Sequence, residues 1–424
     1  MDTRLVCTFV ASLLLLLTTP PDCGSACEAD ENQVELTTTV TTRSTYLEAM
    51  KQLQPAGNDL MRRMQQIGED GWRDVAPEIA TYLDSNADAL DLARQAAETE
   101  TPAMLSSEGP DLSLKAATFL ASCLVAQGRR QQIQGQDAGA LRSYLAVLRM
   151  GHHFANHQQT RLMAKMIGWS TQEQALAPIQ ELVHHSRLRE QDWREAIEAL
   201  QQMQDTRLGL DLAFVEDRDQ SCADLPNRIE IPEADADKIL AAYSRLDDDL
   251  RAAFLQAREE RDPDLFREHV EELESSIAEE SFSEDRVVDD EYAHEIAKAL
   301  MSLDVRSTFA NMIHTEQAQV ARLDMLMVAM AAHRHFLVEG KRPLKLSHLV
   351  PDYLPAVPDD PFSRDEDKIR LHDTGTNWWI YSVGPDGLDQ EGRVAIEPWE
   401  VDGEGDLVSS ARHHQGFPCC ANGQ

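Results

Sequence analysis

Residues 320–390 read VARLDMLMVAMAAHRHFLVEGKRPLKLSHLVPDYLPAVPDDPFSRDEDKIRLHDTGTNWWIYSVGPDGLDQ. The stretch begins with a helical pattern, which Gly340 and Pro343 bring to an end. The apolar residues at 344–350 mark one short helix. Prolines at 351, 355, 358 and 361 then exclude regular structure up to Phe362. This order predicts a long helix that leads directly into a small and partly irregular C-terminal module.

Two short apolar runs in the module predict a β-hairpin. They lie at 369–371 and 378–383, with the turn at 373–377. The turn signal Gly384-Pro385-Asp386-Gly387 follows the second run. Because side chains alternate across a strand, Trp378 and Trp379 point to opposite faces. At least one of them is expected in the core, and an exposed ring would offer a platform to a sugar or a protein partner.

The residues before this stretch read as helices. Apolar residues recur at helix spacing from 46 to 97 and most densely from 112 to 203. Stripes of this width predict helices packed on helices, with Gln127-Gly128 as the end of one of them. A loop at 216–233 and charged helices at 234–261 and 265–280 follow. Residues 292–335 predict one long helix, or two with a bend near 301–307.

Acidic residues far outnumber basic ones in this chain of 424 residues. There are 74 Asp and Glu against 39 Lys and Arg, which gives a formal net charge of -35. Such a surface repels phosphate backbones and argues against nucleic-acid binding. It also argues against docking on anionic lipid, so a membrane would be reached only through the N-terminal signal or a lipid anchor. Protein partners or divalent cations are compatible with this charge.

The first residues have the layout of a secretory signal. Arg4 precedes an apolar run at 5–17, which is shorter than the roughly 20 residues of a spanning helix. Small and polar residues at 18–26 then offer a cleavage site before Cys27. We expect export to the periplasm or cell envelope, either free or with Cys27 or Cys23 lipidated. An uncleaved anchor is the alternative.

The seven cysteines include no Cys-x-x-Cys pair, so a zinc ribbon or a thioredoxin-like site has no support. Cys123 lies in an apolar helical run and is expected in the core. The adjacent Cys419 and Cys420 are poorly placed to bridge each other. A bridge from this tail to Cys222 is compatible with an oxidising compartment, and the sequence leaves the pairing open.

Two parts of the chain carry resemblances. Residues 117–176 resemble a helical region of exported bacterial proteins, and their hairpin lengths are similar to tetratricopeptide-type helical pairs, without a clean repeat. Residues 321–408 resemble the C-terminal part of the G-type major pseudopilins of type II secretion, in which a long helix leads into a small sheet. The motifs at 350–362 and 381–389 carry this second resemblance, which implies the fold of the module.

The predicted fold class is therefore mainly α. It comprises an antiparallel helical array with tetratricopeptide-like hairpins, a long helix and a small α+β pseudopilin-like C-terminal module. The predicted segments are a signal peptide at 1–26, a polar linker at 27–45, an α-helical domain at 46–315, the C-terminal module at 316–408 and a flexible tail at 409–424.

The pseudopilin resemblance also implies a calcium ion, which those proteins bind in the loop after the hairpin. Calcium takes about six to eight oxygen ligands from carboxylates and carbonyls. In this sequence Asp386, Asp389 and Asp406 would serve as the metal ligands, together with Ser382 and backbone carbonyls. The alternative interpretation is an Asp-Gly turn followed by a solvated acidic tail.

Other candidate chemistry is less specific. His153 and His157 have the i, i+4 spacing of metal ligands, but Phe154 stands where a zincin has its glutamate; exposed or capping histidines are the alternative. Acidic runs at 259–264, 271–274 and 279–290 do not single out a catalytic pair, and they read equally as solvated helix faces. The chain has no Gly-x-Ser-x-Gly motif and no glycine-rich phosphate loop.

Three functional hypotheses follow. The first is an exported, non-enzymatic helical scaffold of the cell envelope that binds protein partners. The second is an envelope hydrolase that uses carboxylates in a groove between the helical array and the C-terminal module. Two inward-facing carboxylates, or a carboxylate and a histidine in a closed pocket, would distinguish it. The third is a component associated with type II secretion.

Overall fold

A computed structural model describes most of the chain. The described residues are 40–72, 77–99, 110–156, 162–213, 233–260, 262–275, 310–363, 367–374, 377–394 and 403–409, with short pieces at 293–294, 296–297, 365, 396 and 417–418. The predicted signal peptide, Cys23, Cys27, Cys222, Cys419, Cys420 and nearly all of the loop at 216–233 lie outside these residues. So do the acidic run at 279–290 and the predicted bend at 301–307.

The described part of the chain is mainly helical, which confirms the coarse fold prediction. Up to residue 205 its helices are α1 (Val40–Gln52), α2 (Asn58–Asp70), α3 (Pro77–Ser85), α4 (Ala87–Ala97), α5 (Pro110–Ile133), α6 (Asp137–Ala155), α7 (Leu162–His185) and α8 (Glu190–Asp205). They are followed by α9 (Glu233–Glu259), α10 (Pro263–Ser275), α11 (Ala310–Glu339) and a 3-10 helix at Leu346–Leu349. α1 begins inside the segment predicted as a linker.

The helices pack mainly against their neighbours in sequence. α6 packs against both α5 and α7, α2 packs against α5, and α9 packs against α10. The contact between α6 and α7 is very close, because a Cβ atom at Gly151 would overlap the carbonyl oxygen of Gly168, and the reverse is also true. Two facing glycines therefore let the backbones of α6 and α7 meet.

The prediction that Gln127-Gly128 ends a helix is wrong. α5 runs through both residues to Ile133. Gly128 lies under the ring of Tyr144 on α6, and a Cβ atom there would overlap that ring. The glycine therefore makes room for a neighbouring aromatic side chain, a role that the local sequence does not distinguish from a helix C-cap. Cys123, on the same helix, is a free, fully buried thiol, as predicted.

The long helix α11 joins the helical region to the C-terminal residues. It packs against α7, α8 and α10, and also against the 3-10 helix and the strands β2 (Asn377–Ser382) and β3 (Leu407–Val408). One buried cluster of apolar side chains includes residues from Tyr46 on α1 to Leu407 near the end of the described chain. A second cluster lies around α9 and α10. The core thus runs across the predicted boundary at 315/316.

Helix α11 ends at Glu339, where Gly340 takes a φ of 68° as its C-terminal pattern predicts. Beyond it, strands β1 (Arg370–Asp373) and β2 (Asn377–Ser382) form the predicted antiparallel hairpin, with Leu371 opposite Ile380. β3 (Leu407–Val408) pairs with the end of β2, and β4 (Phe417–Pro418) pairs with its beginning, both antiparallel. β2 is therefore the central strand of a small sheet.

No helix in the described ranges is both long and apolar enough to cross a membrane.

Candidate functional site

The turn after β2 brings two of the predicted metal ligands together. Gly384 and Gly387 have φ angles of 72° and 64°, and the Gly387 amide donates to the Gly384 carbonyl at 3.1 Å. A side chain at Gly384 would overlap the carbonyl oxygen of Gly405. Only glycine allows this approach, and it places Asp386 beside the segment that carries Asp406.

Gln390 connects Asp386 with Asp406. Its side-chain amide donates to Oδ2 of Asp386 at 2.9 Å, and its backbone amide donates to Oδ1 of Asp406 at 3.4 Å. Asp386 also accepts hydrogen bonds from the amides of Leu388 at 2.9 Å and Gly405 at 3.0 Å. The two carboxylates therefore lie on either side of one glutamine and close the loop onto the turn.

Asp389, the third predicted ligand, lies at the exposed rim of the same loop. Its Oδ1 accepts hydrogen bonds from the hydroxyl of Tyr381 at 3.0 Å and from the amide of Glu391 at 2.8 Å. Its Oδ2 lies 3.5 Å from Nε of Arg370. Asp389 thus ties the loop to β1 and β2 through an ion pair and a hydroxyl group.

Asp406 is the buried member of the trio. Its Oδ2 accepts a hydrogen bond from the amide of Gly392 at 2.5 Å. Burial, reinforced by the negative charges of Asp389 and Asp386, raises the pKa of Asp406 to about 6 against the opposing effect of its two amide donors. The negative charges of Asp386 and Asp389 therefore act on Asp406, and a bound cation would relieve this repulsion.

The oxygen atoms of these carboxylates already face donors of the protein. Each of the six lies against an amide, a hydroxyl group or a guanidinium group. Across the described ranges, no group of three or more His, Cys, Asp or Glu side chains is arranged to hold a metal ion. Carboxylate oxygens are the ligands that calcium prefers, and each has two lone pairs. The three carboxylates therefore form no ready cage, and they would have to move closer together to hold a calcium ion.

Asp360 is a central residue of this region that the sequence analysis did not single out. Its carboxylate is fully buried and accepts from the Phe362 amide at 3.1 Å, the Ser382 hydroxyl at 2.7 Å and the Val383 amide at 2.9 Å. Burial raises the pKa of Asp360, opposed by these three donors. Asp360 therefore fastens the proline-rich loop to the end of β2. The Asp-Pro-Phe turn in the sequence is the signal that could have identified it.

Trp378 and Trp379 differ in burial, as the alternation of side chains between the two faces of a strand predicts. Trp378 is buried in the core. Trp379 is half-buried on the other face, where its ring stacks on His372 with centroids 4.7 Å apart and planes 17° apart. Its Nε1 donates to the carbonyl of Glu391 at 3.2 Å. One ring belongs to the core, and the other forms an aromatic surface on the hairpin.

The candidate histidine ligands are only partly described, since His157 lies outside the described residues. His153 is buried, and its Nδ1 lies 3.0 Å from the hydroxyl of Tyr46. His152 is also buried, with Nε2 at 2.9 Å from Oγ1 of Thr206 and Nδ1 at 3.0 Å from Nδ2 of Asn156. Burial, reinforced by nearby positive charges, lowers the pKa of His152 to about 3 and that of His153 to about 4. Both are neutral core side chains near neutral pH.

The described acidic runs lie on solvated helix faces. Glu259, Glu260, Glu271 and Glu272 are exposed. Asp264 is also exposed and pairs with Arg267 one turn further along α10. These carboxylates therefore fit the interpretation of the acidic runs as solvated helix faces, and no two of them share a cleft.

A polar pocket between α6, α7, α8 and α11 was not expected from the sequence. Its volume is about 20 Å³, which is room for one water-sized group. Its polar lining consists of His152, Asn156, Gln172, Gln204, Arg207, Glu316 and Gln319, and its apolar lining consists of Trp169, Met203, Val320 and Leu323. The pocket thus combines one carboxylate, one guanidinium group and several amides with an aromatic wall.

Buried charges surround this pocket. Oε2 of Glu316 lies 3.4 Å from Nε of Arg258, whereas the buried Oε1 of Glu316 accepts no hydrogen bond from any described residue. Nζ of Lys165 donates to the carbonyl of Leu208 at 2.6 Å. Burial lowers the pKa of Lys165 to about 8, opposed mainly by the negative charge of Glu316. Lys165 and Arg258 therefore lie near the negative charge of Glu316, but only one of the two carboxylate oxygens of Glu316 has a charged partner among the described residues.

Asp324 is a buried carboxyl group on α11 next to this pocket. It accepts a hydrogen bond from the side-chain amide of Gln204 on α8. Burial raises the pKa of Asp324 to about 7, with Asp359 and Asp360 adding to the effect and Arg207 opposing it. Asp324 is therefore half protonated near neutral pH, at the contact between α8 and α11.

Comparison of the chain with protein-family models, with curated proteins and with solved structures found no match.

Proposed function

We propose that this chain is an exported, non-enzymatic scaffold or interaction protein of the cell envelope, with tetratricopeptide-like helix pairs and a pseudopilin-like C-terminal module. The observation that carries the proposal is the position of α11, which packs against α7, α8 and α10 and also against β2 and β3. One helix thereby joins the helices and the sheet around a common core. Such a body offers a large, stable surface to other proteins.

The charge of the chain supports a basic protein as the partner. A net charge of -35 attracts cations over a long range and speeds the encounter with a basic surface. The exposed carboxylates of α9 and α10 contribute to this field. Binding of this kind weakens as salt screens the charges.

We further propose that calcium stabilises the C-terminal module. The support is the trio Asp386, Asp389 and Asp406 around one loop, in which the charges of Asp386 and Asp389 repel that of the buried Asp406. Calcium bound by these carboxylates would hold the turn after β2 against the segment that enters β3. The ion would act on the stability of the module, and not on a reaction.

An envelope hydrolase is the second candidate, because His152 and Glu316 line the same pocket. A general base needs a free ring nitrogen. Both ring nitrogens of His152 already have partners, at 2.9 and 3.0 Å, and its pKa is lowered to about 3. The geometry therefore favours the scaffold over the hydrolase.

Cell fractionation combined with crosslinking tests the proposed function. The full chain, tagged at its C-terminus, would be expressed in a bacterium and crosslinked in intact cells. We expect the protein in the envelope or periplasmic fraction, crosslinked to a basic protein in a complex that high salt disrupts. A wholly cytoplasmic location would overturn the proposal. Turnover of ester, peptide or glycoside substrates that Glu316→Gln abolishes would replace the scaffold with the hydrolase.

A further inference from the structure

The C-terminal end of α11 and the turn that follows it expose a cluster of aliphatic side chains. Leu337 and Val338, in the last turn of the helix, are 42% and 56% exposed, and Leu344 in the following turn is 72% exposed. Exposed aliphatic side chains that occur singly are normal on a soluble protein. These three belong to one short continuous segment, so they form a common surface.

A glycine turn fixes the shape of this segment. Gly340 takes a φ of 68°, and its amide donates to the carbonyl of Phe336 at 2.9 Å. Nδ1 of His335 donates to the carbonyl of Lys341 at 3.0 Å. This second bond joins the residue after the glycine to the last turns of α11, so the chain folds back toward the helix.

Buried neighbours anchor the exposed part of the turn. Pro343 and Leu346 are buried, whereas Leu344 and Lys345 between them are exposed. The packing of the two buried residues therefore holds Leu344 and Lys345 out toward solvent. A surface that is already ordered in this way loses little conformational entropy when a partner covers it.

The same segment carries a local excess of positive charge. Lys341, Arg342 and Lys345 stand within five residues of one another, and Glu339 is the one acidic residue between positions 337 and 348. The side chains of Lys341 and Lys345 are exposed and make no ion pair with another described residue. The segment is therefore a basic and apolar surface on a chain whose net charge is -35.

We propose that residues 337–345 dock on an anionic lipid surface, with the three aliphatic side chains among the lipid headgroups and the two exposed lysines on the lipid phosphates.

The composition of the segment favours lipid over an acidic protein as the partner. Aliphatic side chains next to lysines are typical of segments that lie at a membrane interface, where the apolar groups enter the headgroup region and the ammonium groups reach the phosphates. Protein interfaces are instead enriched in aromatic residues and depleted of lysine. Residues 337–345 include no aromatic residue.

The charge of the whole chain predicts repulsion from such a surface, but local charges decide the contact. Salt screens exposed charges beyond roughly 8 Å at physiological ionic strength. Each basic residue next to an anionic lipid surface strengthens binding about fivefold. Acidic groups further away lower the overall affinity, and the two lysines at the contact oppose them.

Binding of the purified full chain to lipid vesicles tests the proposal. Cosedimentation would compare vesicles that contain about 30% phosphatidylglycerol with vesicles of phosphatidylcholine alone. Hydrogen exchange read by mass spectrometry would follow the amides of residues 341–345, which donate to no backbone carbonyl of the described chain. We expect tighter binding to the anionic vesicles, and exchange at these amides that is slowed roughly threefold or more only on those vesicles.

Two variants assign the contacts. Lys341→Gln combined with Lys345→Gln should weaken binding to anionic vesicles roughly 25-fold, at about fivefold for each charge. Leu344→Ser should weaken it about fivefold, because the apolar side chain no longer enters the headgroup region.

The matched controls remove similar groups elsewhere on the surface. Lys51→Gln combined with Lys368→Gln removes two other exposed lysines. Ile133→Ser removes an aliphatic side chain that is 61% exposed at the end of α5. Both controls should bind the anionic vesicles as the wild type does.

The exchange measurement separates docking by this segment from insertion of the apolar N-terminal run. Such insertion would carry the chain to both kinds of vesicle and leave the amides of 341–345 unprotected, which would overturn the proposal. Wild-type binding by the double lysine variant would also overturn it. Protection of the same amides by polyglutamate, but not by anionic vesicles, would replace lipid with an acidic protein. The cellular location of the chain does not enter this test, so a negative result would leave the proposed scaffold function standing.

Discussion

Replacing Asp324 by asparagine tests how the contact between α8 and α11 depends on pH. Asp324 is buried and accepts a hydrogen bond from Gln204. Its pKa is raised from the ordinary value of 3.8 to about 7 in the folded protein. A carboxyl group whose folded pKa is raised stabilises the protein at low pH, and this contribution is lost as the pH rises through the folded pKa. Asparagine has nearly the same shape and never ionises.

The expected size of the effect follows from these two pKa values. The change from 3.8 to about 7 corresponds to about 4 kcal/mol at 1.36 kcal/mol for each tenfold change in proton affinity. Part of this cost is already present at pH 5, where the carboxyl group is ionised only in the unfolded chain. Between pH 5 and pH 8.5, Asp324→Asn should therefore gain about 3 kcal/mol of unfolding free energy relative to the wild type.

Urea denaturation at both pH values, followed by far-ultraviolet circular dichroism, measures this difference. Comparing variant with wild type at each pH cancels the titration of other groups, including His152 and His153. The wild type should lose stability relative to Asp324→Asn as the pH rises. A difference in unfolding free energy that is the same at pH 5 and pH 8.5 would refute a raised pKa for Asp324.

Three other substitutions probe separate parts of the fold. Gly128→Ala should destabilise the protein by about 1–3 kcal/mol in urea denaturation, because the added Cβ overlaps the ring of Tyr144. Gly57→Ala is the control, because a Cβ at Gly57 meets no atom. An equal loss of stability in both variants would contradict the explanation. Asp360→Ala should lower the free energy of unfolding by about 2–4 kcal/mol, because two amides and one hydroxyl group lose their acceptor. Asp359→Ala, which removes only an exposed ion pair, should lower it by less than about 1 kcal/mol. His152→Gln should reduce the fall in melting temperature as the pH drops below 6.5. The pKa of His152 is lowered to about 3 in the folded protein, so below pH 6.5 only the unfolded chain takes up a proton at this residue, and this favours unfolding. An unchanged dependence of melting temperature on pH would count against this explanation.

The parts of the fold with a strong periodic signal were predictable from sequence. The helical pattern, the end of α11 at Gly340, the hairpin and the turn at 384–387 all depend on local residue order, which the sequence displays directly. The role of Gly128 was misjudged because it depends on Tyr144, a residue on another helix. The finer resemblance to tetratricopeptide pairs and pseudopilins stays a prediction.

The candidate sites show the same division. Asp386 lies in the turn signal at 384–387 and Asp389 follows it by two residues, so local residue order already places them close together. The polar pocket is different, because His152, Gln172, Gln204 and Glu316 come from four helices whose contact no local pattern reveals. The local sequence does not distinguish Glu316 from a solvated helix residue. Only the structure shows that it is buried beside Arg258 on α9 and that its second oxygen has no donor among the described residues.

The most direct test of the calcium-stabilised scaffold is calorimetric titration of the purified chain with calcium, together with thermal melts in calcium and in chelator. We expect saturable binding and a melting temperature that calcium raises, by mass action on the folded state. Asp406→Asn should abolish both effects, whereas Asp352→Asn, at an exposed carboxylate in the same module, should retain them. Absence of binding heat and of any shift in melting temperature in the wild type would contradict a calcium-stabilised module.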